Sequence, residues 1–334
     1  MQIVRDLDTN VWKEFVDQNP HGQIFHTPEM FQVFANTKGY QPTLWAALGD
    51  DRRVLAMLLP IQITLLDGLF RHFTTRAVAY GSVLTAPEPG SKQALTVLLQ
   101  AYNQDVKNRI LFSELRNLSD LTDIQKILNE GGFIFEDHLN FLIDLNRPLS
   151  QIWEGIRSNA KRNIQKARRS EVRIEEVYQV DEIPIVYGVL EKVYERIQVP
   201  LPDISLFRST FEILAPKGML KILTAKVKDT TIGALCLLMY KDVLLYWYTG
   251  TLREYSSYRC NDLLVWHSLE LGHRHDYRMF DFGGGGRPNE AYGVRDFKIK
   301  FGGEQVNFGR NICVHAPRRL KLSQAGYQLM RRFL

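Results

Sequence analysis

Apolar and polar residues follow two alternating periods along the chain, and each change of period marks an element. After Thr27-Pro28 the apolar spacing is helical from Glu29 to Thr37; Thr27 can cap this helix and Pro28 suits its first position. Leu44 to Leu48 and Val54 to Ile63 have strand character on either side of the polar turn Gly49-Asp50-Asp51, which predicts a hairpin. Val78 to Thr85 reads as a strand, Ser91 to Asn108 as an amphipathic helix capped by Ser91, and Ile110 to Arg116 as a strand. A helix around Asp120 to Glu130 and strand-like Phe133 to Asp144 complete the first half.

The second half runs through a similar order. Leu149 to Ser170 is helical, Val172 to Val177 a strand, and Asp181 to Gln198 and Ser205 to Leu214 are helices; Leu220 to Val227 and Ile232 to Tyr240 form a hairpin around Lys228-Asp229-Thr230-Thr231. This hairpin echoes the one from Leu44 to Ile61, and Tyr80-Gly81 has a counterpart in Tyr248-Thr249-Gly250, so the pattern predicts a duplicated α/β architecture. Pro148 ends a strand before the next helix, which sets the expected boundary: one domain over 1–147 and a second over 148–334.

Composition narrows the class. With 334 residues, 45% apolar and 24% charged, the chain reads as a soluble two-domain protein. Its formal charge of +5 favours an anionic partner: a nucleotide, a phosphorylated carrier, tRNA or the inner membrane surface. Cys236, Cys260 and Cys313 are far apart, so neither a disulfide framework nor a zinc knuckle is written here, and a reducing cytoplasm is expected. Apolar runs such as Val54 to Ile61 fall well short of the ~20 residues that span a bilayer, so no transmembrane segment is expected. The basic tail from Arg318 to Leu334 suits either a packed terminal helix or peripheral contact with anionic lipid.

Chemistry concentrates late in the chain. Phe280-Asp281-Phe282 leads into Gly283 through Gly286, whose backbone can take positive φ and present unshielded N–H groups to a ligand. Phe297-Lys298-Ile299-Lys300-Phe301 alternates like a strand, which would put Lys298 and Lys300 on one face, a setting suited to an anion or oxyanion. Asp281 is a candidate proton acceptor and equally a candidate anchor for the glycine turn. Tyr246-Trp247-Tyr248-Thr249-Gly250 is a strand running towards a helix over Cys260 to Gly272, an anion-ready geometry with Arg259 and Asn261 at its mouth. Lys161, Arg162 and neighbouring basic residues share adjoining faces of the helix from Leu149, available to phosphate or solvent. His273 and His275 lack a metal-site pattern, and no nucleophile elbow, phosphate loop or dinucleotide fingerprint is present, so no metal is expected.

Several of these pieces in order, Asn159 to Ala167, Tyr248-Thr249-Gly250, Asn261 to Trp266, Phe280 to Gly284 and Tyr292 to Gly303, resemble the FemAB-like (FemA/FemB/FemX) aminoacyltransferases of the GNAT acyltransferase superfamily. The resemblance implies an α/β (α+β) chain of two tandem GNAT-like domains, each a mixed sheet flanked by helices. It implies transfer of an acyl or aminoacyl group onto an amine of a peptidoglycan-type cell-envelope precursor, with aminoacyl-tRNA or acyl-CoA as donor. It implies the Phe297-Lys298 pair as catalytic; with Asp281 as candidate proton acceptor these make the expected catalytic set, and Tyr248, Arg259, Asn261, Gly283, Gly284, Tyr292, Arg295, Lys161 and Arg162 are the expected substrate contacts. Two departures matter. His26-Thr27-Pro28-Glu29-Met30-Phe31 stands where the family often has Gln-Ser-x-x-Trp, and Arg253 to Arg259 replaces the glycine-rich loop of CoA-dependent members. A CoA-dependent N-acyltransferase of an amino sugar, or a silent GNAT-like binding module, are the alternatives.

Overall fold

Two units make up the chain, and their boundary is not the one expected at Pro148. A computed structural model describes every residue except 65–67, 69–70, 108 and 331–334, and every described side chain except those of 326–330. Residues 1–137 and 308–334 form the first unit and 138–307 the second. The expected positions Asn108 and Arg331 to Leu334 lie outside the described residues.

The first unit opens with β1 (Gln2–Val4), α1 (Thr9–Gln18) and α2 (Pro28–Ala35). Thr27 caps α2 as expected, its hydroxyl accepting from the Met30 N–H. Then follow β2 (Tyr40–Pro42), β3 (Trp45–Leu48), β4 (Val54–Leu58), β5 (Ile61–Thr64), α3 (Arg71–Thr74), β6 (Thr75–Tyr80), β7 (Val83–Thr85), α4 (Ser91–Val106), β8 (Phe112–Arg116), α5 (Gln125–Glu130) and β9 (Ile134–Glu136). The single strand expected from Val54 to Ile63 is interrupted at Pro60, which has no N–H to give a ladder. Its halves join different sheets: β4 in the order β1-β3-β4-β7, β5 in the order β2-β5-β6-β8.

The second unit holds β10 (Asn140–Asp144), α6 (Leu149–Gly155), α7 (Ser158–Arg169), β11 (Arg173–Glu176), α8 (Ile183–Arg196), α9 (Ile204–Leu214), β12 (Leu220–Val227), β13 (Thr230–Tyr240), β14 (Val243–Thr251), α10 (Cys260–Arg274), β15 (Met279–Asp281), α11 (Gly293–Lys298) and β16 (Glu304–Val306). The chain then returns to the first unit as β17 (Arg310–Val314) and α12 (Pro317–Met330). β17 pairs with both β8 and β9, which is why the C-terminal segment belongs with the N-terminal one. The run from Phe133 to Asp144 is likewise two strands in two sheets, since β10 pairs with β15 and β16. Alternation alone reports a buried face, not the partner that covers it.

Each unit repeats one plan. Antiparallel strands are followed by a crossover helix and a strand parallel to the one before it: β6 and β8 with α4 between them, β14 and β15 with α10 between them. The matched hairpins β3/β4 and β12/β13 both turn through a left-handed residue, Arg52 and Lys228. In the first core, Leu95, Leu98, Leu99 and Tyr102 of α4 meet Ala77, Ala79 and Leu115 of the sheet. In the second, Ala160 and Ile164 of α7 and Leu264 and Trp266 of α10 meet Leu235, Leu237, Phe280 and Phe282. Burial of this kind is worth about 25 cal/mol per Å2 of apolar surface, and it dominates the stability of both cores.

Candidate active site

The second unit's sheet opens along β14. β14 and β15 pair only from Val243↔Met279 to Leu245↔Asp281. Beyond that the pairing with β14 stops, while on the β10 side the Phe282 N–H donates to the Phe141 carbonyl at 3.0 Å. From Tyr246 to Thr251, β14 therefore has a ladder partner on its β13 side alone among the described residues. A strand edge left in this way offers N–H and C=O groups to an extended, amide-bearing chain. A bulge opposite Cys236 and Leu237 leaves Trp247 without a partner on β13. Both Trp247 and Tyr248 then reach Phe207 of α9, at centroid distances of 6.4 and 5.0 Å, where a regular strand would send them to opposite faces. Tyr248 also approaches Tyr194 of α8 at 5.9 Å, which makes a half-buried aromatic wall beside the open edge.

Beside this edge lies Lys298, and here the structure corrects the sequence reading. Phe297 to Phe301 is not a strand: α11 runs through Lys298 into a 3-10 turn, Ile299–Phe301. Phe297 and Phe301 sit one helical turn apart and pack edge to face at 5.3 Å, so the same Phe-Lys-Ile-Lys-Phe spacing satisfies a helix. Lys298 and Lys300 accordingly do not share a strand face. Lys298 is buried, with 6% exposure, and its Nζ donates to the carbonyls of Phe282 at 2.6 Å and Gly284 at 2.5 Å. The rings of Tyr246 and Phe282 flank the ammonium at 5.5 and 5.8 Å.

The glycine loop is also built differently from expectation. Three of its N–H groups are taken within the fold: Gly283 donates to Asp281 Oδ1 at 2.7 Å, Gly284 to Asn140 Oδ1 at 2.9 Å and Gly285 to the Leu139 carbonyl at 2.5 Å. Asn140 Nδ2 in turn donates to Asp281 Oδ1 at 2.6 Å. Gly283, Gly284 and Gly285 thus give their donors to Asp281, Asn140 and Leu139, while the Phe282 and Gly284 carbonyls turn towards Lys298. Gly283 permits this with φ +71° and no Cβ, since a Cβ there would lie 3.1 Å from the Tyr246 carbonyl. Burial pushes the Asp281 carboxyl up, against the Asn140 and Gly283 hydrogen bonds and the Lys298 charge. Burial also brings the Lys298 ammonium down to about 8, against the pull of Asp281.

A second polar group sits where α10 begins. Arg259 takes a left-handed conformation with φ 58° and starts the helix, while Asn261 lies inside the first turn instead of capping it. Asn261 Oδ1 accepts from the Thr249 hydroxyl at 3.4 Å and the Tyr246 hydroxyl at 3.5 Å, tying the helix start to the open strand. Asp262 is buried and accepts from Asn163 Nδ2 of α7 at 3.2 Å; burial raises its pKa, while Asn163, Lys300 and Arg259 pull it down. The N-cap residue Arg259 gives α10 no side-chain cap, so the positive end of the helix dipole lies beside this exposed side chain.

The remaining expected residues separate. Arg295 donates to the carbonyls of Arg287, Pro288 and Glu290, which makes it the clasp of the loop that follows the glycines. Tyr292 is exposed, and its ring lies against Gly286. The helix expected from Leu149 to Ser170 is two helices broken at Ile156 and Arg157, with the Arg157 N–H donating to the Lys300 carbonyl at 2.8 Å. Lys161 Nζ donates to the Glu154 carbonyl at 3.1 Å across that break, whereas Arg162 is exposed. Asn140, Asn163 and Tyr246 were not singled out from sequence. Asn140 and Asp281 are 141 residues apart, and no local pattern joins them. No group of three metal-ligating side chains gathers among the described residues, and no helix there is long and apolar enough to cross a membrane.

Comparison with known proteins agrees with this geometry at the level of fold. Residues 155–298 match the family model described as an acetyltransferase (GNAT) domain. The structure of FemX superposes with a TM-score of 0.70 at 13% identity, over 98% of this chain and 99% of that one. A C-terminal domain assigned to a lysylphosphatidylglycerol synthetase of Agrobacterium fabrum gives 0.60 at 10% identity, covering 95% of each chain. A tandem GNAT protein from the clavulanic acid biosynthesis pathway gives 0.59 at 12% identity, over 94% of this chain and 98% of that one. No curated protein matches the chain in sequence. Residues 155–298 thus carry a GNAT domain, and the chain as a whole shares the fold of FemX and of the tandem GNAT protein.

Proposed function

We propose that this protein is an N-acyltransferase that moves an aminoacyl or acyl group from an activated donor onto an amine of an anionic cell-envelope precursor. The observation that carries the reading is the opening of β14 from Tyr246 onward, bounded by Lys298 on one side and the start of α10 on the other. An extended donor arm or peptide stem would pair with the open edge, and phosphate would lie at the helix start near Arg259. Tyr248 would line the wall beside the reacting groups.

Attack of the neutral amine on the donor carbonyl forms the C–N bond and puts negative charge on the carbonyl oxygen; collapse of this adduct breaks the C–O bond to tRNA, or the C–S bond to CoA, and the amine's proton passes through water to the departing oxygen or sulfur. As an ammonium, Lys298 keeps a third N–H beyond the two given to Phe282 and Gly284, and this N–H is assigned to the oxyanion. One preorganised donor of this kind contributes about 10²–10³ in rate. Asp281 already accepts two hydrogen bonds, so its role is to position the glycine loop and to hold charge on Lys298. Phe297 fixes the turn that carries Lys298 through its contact with Phe301. The FemAB-like motifs and the FemX likeness support aminoacyl-tRNA as donor; the GNAT family model supports acyl-CoA as the second reading.

The test is amide formation with charged tRNA and with CoA thioesters, offered with muropeptide precursors and amino sugars, in wild type and Lys298→Ala. Product from one donor that falls at least a hundredfold in a folded variant supports the proposal. Binding of either donor without turnover in wild type would identify a silent module and end it.

A further inference from the structure

One face of the first unit's six-stranded sheet carries a cluster of charged and phenolic side chains. Tyr80 pairs with Arg116 and Val78 with Glu114 across β6 and β8, and Arg116 pairs with Arg310 across β8 and β17. Directly paired residues share a face, as do residues two apart on one strand, so Arg76, Tyr80, Glu114, Arg116 and Arg310 project together. Tyr40 joins them, since it pairs with Ile63, which pairs with Arg76. The opposite face, with Ala77, Ala79 and Leu115, is the one packed by α4.

Two arginines set directly across from one another repel unless an anion lies between them. Glu114, at 7% exposure, does this: it binds Arg116 Nη2 at 3.0 Å and also Arg310 Nη1. Glu136 faces Arg310 from β9. At the other end of the cluster the balance differs. Arg76 Nε is buried with no hydrogen-bond partner among the described residues. The Arg116 guanidinium lies 5.0 Å over the Tyr80 ring. The Tyr40 hydroxyl, kept protonated by burial, lies within electrostatic reach of Tyr80, Arg76 and Arg116. The unpartnered Arg76 Nε, the Arg116 guanidinium and the Tyr40 hydroxyl therefore converge here.

We infer that Arg76, Arg116 and Tyr40 form a seat for a phosphate group on this sheet face, with Glu114 and Arg310 holding Arg116 in place. Several forked donors and a hydroxyl match a tetrahedral anion with three or four oxygens better than the two oxygens of a carboxylate. The seat uses residues of the first unit alone and does not depend on the acyl-transfer reading of the second.

Calorimetric titration of the full chain with pyrophosphate, at constant ionic strength set by sodium chloride, tests it. Wild type should give saturable binding, Arg76→Gln about tenfold weaker binding from the loss of one charge-assisted pair, and Arg76→Lys an intermediate value. Thermal unfolding of each variant checks the fold, and Tyr40→Phe supplies the comparison if Arg76→Gln does not fold. The inference is overturned if wild type shows no saturable heat or if acetate binds as tightly as pyrophosphate. It is overturned equally if binding survives Arg76→Gln and is lost in Arg259→Gln, which would put the ligand on the second unit.

Discussion

Lys298 Nζ lies 2.6 Å from the carbonyl oxygen of Phe282, so an ammonium in α11 holds the backbone at the point where β15 leaves β14. The residue assigned to the oxyanion is thus also the one that keeps the sheet open. Lys298→Met should cost about 2–4 kcal/mol of stability, since it strands two buried carbonyls and removes the cation next to buried Asp281. Urea unfolding measures this cost. A variant as stable as wild type would show that the carbonyls find other donors.

Lys298 also makes a prediction about pH. Its folded value of about 8 is below the ordinary 10.5, so between these limits the unfolded chain binds more protons and this group's contribution to stability rises with pH. Below about pH 8 the penalty is constant. Wild type should gain stability relative to Lys298→Met from pH 8 to 10, while kcat/KM should fall above about pH 8 as the ammonium is lost. A turnover profile that is flat through that range would remove the charged amine from the mechanism.

Glu114 behaves in the opposite sense. Burial alone would raise its carboxyl pKa, but Arg116 and Arg310 more than offset this and hold it below 4.5. Its contribution to stability is complete above that value and is lost as pH falls through the lower folded value. Glu114→Gln should be destabilised by about 3–5 kcal/mol at pH 7, because two arginines are left without their shared anion, and it should lose less stability than wild type on acidification. Parallel unfolding curves at pH 7 and pH 3 distinguish this from a surface pair.

Two glycines should respond oppositely to alanine. Gly302 has φ +75° and a Cβ there would meet the Gly155 carbonyl at 2.2 Å, so Gly302→Ala must displace the α6–α7 junction from the Lys298 turn. A loss of about 2–4 kcal/mol is expected, together with reduced turnover. Gly188, inside α8, has nothing within 4 Å of the same position, and Gly188→Ala should add about 0.5–1 kcal/mol. Melting temperatures of the two variants on either side of wild type would bear this out.

Much of the architecture could be read along the chain because it depends on neighbours in sequence. The α2 cap needs only Thr27 and Pro28, and the hairpins β3/β4 and β12/β13 need only alternating apolar residues around a polar turn. The same local logic misread Phe297 to Phe301, where aromatic residues four apart fit a helix as well as a strand, and Val54 to Ile63, where Pro60 moves the chain to another sheet.

By itself the sequence determined the two-period pattern, the repeated hairpins, the glycine loop and the Phe-Lys pair, since each is set by residues within a few positions of one another. Only the tertiary structure decided which groups the loop serves. Gly283, Gly284 and Gly285 could have offered their N–H groups to a ligand, yet Asp281, Asn140 and Leu139 take them, and the carbonyls turn to Lys298 instead. Partners brought together from opposite ends of a unit, Asn140 with Asp281 or Arg310 with Glu114, are chosen by strand pairing. Such pairing is fixed by the global burial of apolar faces, and no local window of residues encodes it.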